Sequence, residues 1–401
     1  MQPFLTGLPR LGYYEKTNPR MEAPAMQKRY QLPLCLALLL LLSSCAKEGA
    51  VPTPMQTPTP TPVASVTPLP TPTPTPSEEP GPSGPLNPLT GLPMEDESAV
   101  TARPVAIMLN NLKEAMPQQG QSQADIIYEC LEEGGITRML GVYQSIKGVD
   151  TVGSIRSARS YYLQLALGHD AIFIHAGGSD AAGVEDAYGK IKEWGVTSLD
   201  GVRGPYMSTT VEGGLMWRDP TRRKTMSREH TVITTGAMME KILPTLDIRH
   251  DHGEGWTYEM DFADDGTPQN GIDVSTIKAV YSKYKTGIFR YDLESRLYLV
   301  EQYGSSYIDG NTKEQVGVTN VVVLKTHRGY TGNSYAHVTI DLASGGTGYY
   351  ACGGKLIDLL WTKSYPSGQF HYTDLEGNPI VFGRGKTYVN IIPTDQRVEF
   401  E

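Results

Sequence analysis

ADIIYECLEEGGITRMLGVY, residues 124–143, holds two runs of β-forming residues, Asp125–Leu131 and Thr137–Tyr143. Between them lies Glu132-Glu133-Gly134-Gly135-Ile136, whose glycine pair suits a hairpin-like link. Upstream, RPVAIML (Arg103–Leu109) reads as another strand. Downstream, Ser157–Leu167 carries apolar residues at helical spacing and Gly168 ends it. Ala171–His175 reads as a strand, and Ala181–Trp194 and Gly236–Leu246 as helices. Strands alternating with helices predict an α/β N-terminal domain over residues 87–253.

Past Gly253 the pattern becomes almost wholly strand. Ile277–Tyr284, Gly287–Leu293, Leu297–Tyr303, Val318–Lys325, His337–Leu342, Tyr349–Ala351, Lys355–Trp361 and Thr387–Ile392 are rich in β-formers. Asp309-Gly310-Asn311 and Glu376-Gly377-Asn378 punctuate them as turns. Residues 254–401 are therefore expected to form a mainly antiparallel, β-rich C-terminal domain.

Toward the N-terminus the chain has a different character. Leu32–Leu42 is an apolar run too short to span a bilayer, preceded by Lys28 and Arg29. It ends in Ser43-Ser44-Cys45, small residues before one cysteine. This is the pattern of a lipoprotein signal, with Cys45 the lipidated residue and residues 26–44 the peptide removed; a non-lipidated secretory signal is the rival reading. Met26 is read as the start, which makes residues 1–25 a start-site artefact. From Ala46 to Leu86 there are 13 prolines, mostly in Thr-Pro repeats. Proline fixes φ and has no N–H, so residues 45–86 read as an extended spacer, on the order of 100 Å long if fully stretched.

The whole chain carries −9. Arg10, Lys16, Arg20, Lys28 and Arg29 against Glu15 and Glu22 give the leader a net +3, leaving −12 on the rest. That charge argues against nucleic acid or bare anionic lipid as partner, though not against a local basic pocket. Cys130 and Cys352 sit in apolar surroundings and read as two separate buried thiols rather than a bridge.

No zinc-type CxxC pair, G-x-S-x-G or H-E-x-x-H occurs. Gly385-Lys386-Thr387 lacks the first P-loop glycine, which is Ile380 here. Asp261–Gly266 has Ala263 at a calcium-ligand position and Ile272 in place of the bidentate Glu. His250-Asp251-His252 has no third ligand and reads as a solvated hinge. No metal and no cofactor is expected.

Three segments carry polar residues that plain core or plain turn does not need. Glu133–Arg138 sets a carboxylate and a guanidinium beside the glycine pair. Ile155–Arg159 is predicted to open a helix with Arg156 and Arg159 on one side of its first turn, where free N–H groups and a bidentate fork favour an anion. His175-Ala176-Gly177-Gly178-Ser179 leaves a strand for a helix, the usual ligand position in α/β sheets. His230 joins from the loop before the last helix. Arg138, Arg156 and Arg159 are thus candidate anion-binding residues, and Glu133, His175 and His230 candidate acid/base or ligand-binding groups. The plain alternative is an internal salt-bridge network in which Glu133 pairs an arginine and the histidines are hydrogen-bonded in the core.

NPLTGLP (87–93), ADIIYECLEEGGITR (124–138), GSIRSARSYYLQLALGHDA (153–171) and HAGGS (175–179) resemble the YerB-like family of bacterial lipoproteins. NVVVLK (320–325) and GQFHYTDLEGNPIVFGRGKTYVNIIP (368–393) extend the resemblance over nearly all of residues 87–401. It implies a lipid-anchored extracytoplasmic protein with a two-part body of unknown function, and no catalytic residues to carry over. Cys130 and Glu132 stand where the family pattern is apolar, which weakens a special role for Cys130. The placing of arginines after a short strand is also similar to the LytR-CpsA-Psr wall-polymer transferases. Their Pro-Arg-Asp-Thr string, however, reads Ile155-Arg156-Ser157-Ala158 here. Two readings follow: a lipoprotein binding an anionic wall polymer or other envelope component, with the β domain contacting an envelope protein, or an enzyme modifying an envelope polymer or lipid-linked precursor.

Overall fold

The computed structural model describes residues 84–94, 96–181 and 185–401. Cys45, the leader and the spacer up to residue 83 lie outside the described residues. Eleven strands form the principal sheet. They are β1 (Val105–Asn110), β2 (Ile126–Leu131), β3 (Thr137–Tyr143), β4 (Ile172–His175), β5 (Ser198–Asp200), β6 (Ile272–Asp273), β7 (Asn320–Thr326), β8 (Gly346–Cys352), β9 (Lys355–Lys363), β10 (Phe370–Thr373) and β11 (Thr387–Pro393). Their order is β6-β9-β8-β7-β11-β2-β3-β1-β4-β5, with β10 also on β9.

The hairpin expected at 125–143 is β2–β3, paired from Ile126 opposite Val142 to Leu131 opposite Thr137. Every residue of both strands is buried. A strand buried on both faces belongs inside a layered sheet, and successive side chains go to opposite layers. Ile127 and Leu131 join one core with Ile277, Phe289 and Val300 of a second sheet. Ile126, Tyr128 and Cys130 join another with Tyr161, Tyr162 and Leu165. That second sheet is antiparallel, built from Thr276–Ser282, Lys285–Asp292, Leu297–Gln302 and shorter edge strands.

The protein is thus mostly strand with few, short helices: α1 (Ser160–Gly168), α2 (Ala187–Glu193) and α3 (Gly236–Ile242). Each is shorter than its predicted span. The chain before α1 stays extended because Arg156 N donates to Met108 O and Ala158 N to Gly177 O, ties to strand ends that a helix would forfeit. After Ile242 the chain tightens into a 3-10 turn containing Pro244. The antiparallel pattern expected past residue 253 holds across β7–β10. β11 departs from it, running parallel to β7 and β2 on its two sides. Through β11, strands from both sides of residue 253 hydrogen-bond into one sheet.

Candidate functional site

The β2–β3 link turns through Gly134 and Gly135, at φ +70° and +80°, and closes with Glu132 N donating to Ile136 O at 2.7 Å. The turn sets Glu132 and Glu133 side by side and starts β3 with Arg138 opposite Cys130. The extended segment 155–159 passes the ends of β1 and β4, bringing Arg156 and Arg159 to the same place. Arg159 Nε and Nη2 meet Glu133 Oε1 and Oε2 at 2.8 and 2.9 Å. Arg138 Nη1 lies 2.9 Å from Glu132 Oε2, and the Tyr161 hydroxyl donates to Glu132 Oε1 at 2.7 Å.

Two corrections concern the predicted helix start. The helix begins at Ser160, so Arg156 and Arg159 lie on extended chain ahead of it and not on its first turn. Its first N–H already has an anion: Ser160 N donates to Glu185 Oε1 at 2.9 Å. That N–H is therefore not available to an outside ligand.

The charge balance here is uneven. Burial pushes the Glu132 carboxyl up to about 7 despite Arg138 and Arg159. Burial also works to raise Glu133, but Arg159 and Arg138 outweigh it and hold that carboxyl at about 2. Arg138 and Arg159 are thus compensated from within, as the salt-bridge reading anticipates. Arg156 is not. Its Nη1 donates to Glu229 O at 2.9 Å, its Nε has no partner, and among the described residues no carboxylate is within ion-pair distance. Burial, followed by Arg138, pushes this guanidinium down to about 10.

Arg218, on the strand Met216–Arg218, stands in the same condition. Nη1 donates to Arg228 O at 2.5 Å, and burial, Arg228 and Arg223 lower its pKa. Two arginines therefore grip successive carbonyls of the turn Arg228–His230 without an ion-pair partner among the described residues. His230, which ends that turn, is buried, its Nδ1 2.8 Å from Asn110 Nδ2. The amide donates, so the imidazole accepts at Nδ1 and carries its proton on Nε2. Burial and then Arg156 lower its pKa, which keeps it neutral. Arg156 and Arg218 thus donate to adjacent carbonyls of one turn, and the Glu229 carboxylate of that turn lies 3.9 Å from His230 Nε2 and offsets part of the burial effect on both guanidiniums.

His175 stands apart. It is fully buried, Nδ1 donates to Gly177 O at 2.7 Å, Nε2 accepts from Ser198 Oγ at 2.7 Å, and Phe173 stacks on the ring. Burial lowers its pKa, and both nitrogens are engaged in shaping the strand end. Its neighbour Asp200 accepts from Gly177 N in that turn and from Val202 N in its own. In the His250–His252 stretch, His252 Nδ1 is 3.0 Å from Asp170 Oδ2 and the ring stacks on Trp256.

Glu132, Asn110, Arg218 and Glu229 escaped the sequence reading. For Glu132 the signal was present, since a second carboxylate beside Glu133 in a buried hairpin requires cations nearby. The other three reach the cluster only through tertiary packing.

Two segments of the chain match the two halves of one protein family of unknown function. Residues 89–249 match the DUF3048 N-terminal domain and residues 277–389 its C-terminal domain. The chain belongs to the YerB-like family. It is 29% identical over 309 residues to YerB of Bacillus subtilis (strain 168), named as a candidate lipoprotein, covering 76% of this chain and 86% of that protein. The crystal structure of Bacillus subtilis YerB superposes with a TM-score of 0.65 at 27% identity, over 79% of this chain and 99% of that one. No helix among the described residues is long and apolar enough to cross a membrane.

Proposed function

We propose that this protein is a lipoprotein held at the outer face of the cell membrane through Cys45, and that it binds an anionic component of the cell envelope. The carrying observation is the pair Arg156 and Arg218, which donate to the adjacent carbonyls of Glu229 and Arg228. Both guanidiniums are partly buried and, among the described residues, neither has an ion-pair partner, so an anionic ligand lowers the cost of removing their charge from water. A binding role fits better than a catalytic one, because His230 is neutral with its acceptor nitrogen occupied by Asn110 and His175 is sealed in the core. The relative's lipoprotein name supports the membrane address.

The test uses the full chain in detergent micelles with long-chain inorganic polyphosphate as probe. Arg156→Ala and Arg218→Ala are each expected to weaken binding about tenfold or more, corresponding to the loss of one charge-assisted contact. Affinity should fall with added salt. Unchanged affinity in both variants overturns the reading. For the address, Cys45→Ala is expected to move the protein out of the membrane fraction.

A further inference from the structure

On the far side of the Glu132–Gly135 turn lies a groove of about 430 Å³, walled by Lys283, Tyr284, Arg328 and Tyr330 and floored by Gly134 and Gly135. Tyr284 is 62% exposed and Tyr330 66%, whereas the tyrosines of the strands beneath are sealed in the core. Tyr284 closes directly over the turn: a Cβ on Gly135 would lie 3.0 Å from its Cδ2. A third ring, Tyr335 at 69% exposure, stacks on His337 at 5.5 Å and 18°. His337 Nε2 is in turn 3.9 Å from Glu133 Oε1, the carboxylate that Arg159 holds. The tyrosine groove and the arginine cluster are therefore two flanks of one turn.

Exposed aromatic rings beside an open groove are costly in water unless something covers them. Their flat apolar faces with a phenol at the edge suit ligands that are apolar on one face and hydroxylated at the rim. A pyranose ring has that character, with axial C–H bonds on its face and hydroxyls around it. The groove is also positively charged. Lys283 Nζ lies 4.8 Å from the Tyr284 ring centre with no ion-pair partner among the described residues, and the Arg328 guanidinium lies 5.0 Å from that of Tyr330 while Nη2 is 3.3 Å from Asp395 Oδ2. The carboxylate in the lining is Glu132, buried and paired with Arg138.

We propose that the groove holds the sugar backbone of an anionic polysaccharide, with rings stacked on Tyr284 and Tyr330 and acidic substituents turned toward Lys283. This rests on the anion-binding reading of Arg156 and Arg218, and names the ligand class for it. A single-stranded nucleic acid also stacks on aromatic rings, but the −12 borne by the chain after its leader opposes a polyanion whose charge is continuous.

The test again uses the full chain in micelles, with four probes: an oligogalacturonate, an uncharged maltodextrin of equal length, long-chain polyphosphate and oligo-dT. The double change Tyr284→Ala with Tyr330→Ala is expected to weaken oligogalacturonate binding about tenfold or more and leave polyphosphate binding unchanged. The pair Tyr284→Phe with Tyr330→Phe, which keeps the rings, should bind oligogalacturonate within about twofold of the parent. Circular dichroism checks that the fold is intact, as expected for exposed side chains. Oligogalacturonate affinity that is indifferent to the tyrosines, or oligo-dT or maltodextrin binding as tight as oligogalacturonate, overturns the groove. If polyphosphate binding still depends on Arg156 in that event, the anion reading stands alone. If polyphosphate ignores Arg156 while the tyrosines still matter, the anion reading is the one that fails.

Discussion

Arg159 holds Glu133 through two parallel hydrogen bonds, at 2.8 and 2.9 Å, while its Nε also lies 3.5 Å from Glu132. One guanidinium thus serves two neighbouring carboxylates, of which Glu132 is fully buried. Arg159→Ala leaves both with Arg138 as the remaining close cation. Breaking a buried pair on one side typically costs about 3–5 kcal/mol, and a loss of that size is expected in urea unfolding. Arg156→Ala, which removes one hydrogen bond to a carbonyl and no ion pair, should cost about 1 kcal/mol or less. Equal, small losses in the two variants would show that the network does not support the hairpin.

The two carboxylates respond to pH in opposite senses. Burial raises Glu132 from 4.5 to about 7, so between those values the folded chain retains a proton that the unfolded chain has released. Stability from this group therefore falls as pH rises through that window. Glu133, lowered to about 2 by Arg159 and Arg138 against the effect of burial, contributes stability that is complete above 4.5 and lost as pH drops toward 2. His169, lowered by burial to about 3, has the opposite slope, so the contribution of Glu132 is read as a difference: the urea midpoint of the parent minus that of Glu132→Gln should decline from about pH 5 to about 7. A difference that is flat in this window would contradict the assignment.

Much of this architecture was legible in short range. The hairpin 125–143 was readable because its glycine pair and its β-forming runs are local signals, and the second sheet because its turns carry Asp, Gly and Asn. What no local pattern shows is β11. Thr387–Pro393 is separated from its partner β2 by more of the chain than any periodicity spans, and only the burial of Ile126–Leu131 on both faces hints at a parallel neighbour. The start of α3 at Gly236 is as expected, but that of α1 is not, for a related reason: Ser157 and Ala158 have helical neighbours in sequence, but Ala158 N is taken by Gly177 O. At the site, Arg138, Arg156, Arg159, Glu133 and His230 do come together. His175 does not, because a strand-end histidine reads the same whether it faces a ligand or, as here, Gly177 O and Ser198.

Cys130 and Cys352 are free and buried, and burial raises both thiol pKa values. The thiolate is the reactive form, so both should resist alkylation while the chain is folded. Native labelling with N-ethylmaleimide at neutral pH, followed by peptide mass mapping, is expected to leave both peptides unmodified. Labelling in concentrated guanidinium should modify both. Rapid native modification of the Cys352 peptide would mean that β8 opens readily.

Between the two sheets, Lys285 Nζ lies 3.2 Å from Glu129 Oε1, with side-chain exposures of 1% and 0%. The pair is tied into its surroundings. Thr137 and Asn111 donate to Glu129 at 2.6 and 2.8 Å, the Tyr388 hydroxyl donates to its other oxygen, and Lys285 also reaches Gln302. Burial lowers the lysine pKa and Glu129 resists that shift, so the two charges hold each other in place. Lys285→Met should therefore strand the carboxylate and cost about 3–5 kcal/mol in urea unfolding. Glu129→Gln in the same chain removes the stranded charge and keeps an acceptor for Thr137, so the double variant should recover about 1 kcal/mol or more relative to the sum of the single changes. The strands that Lys285 and Glu129 occupy come from the two halves matched to the family, Ile126–Leu131 from one and Lys285–Asp292 from the other. Coupling of that size would show that the halves are stabilised through each other, whereas purely additive losses would mean that each sheet holds its own charge.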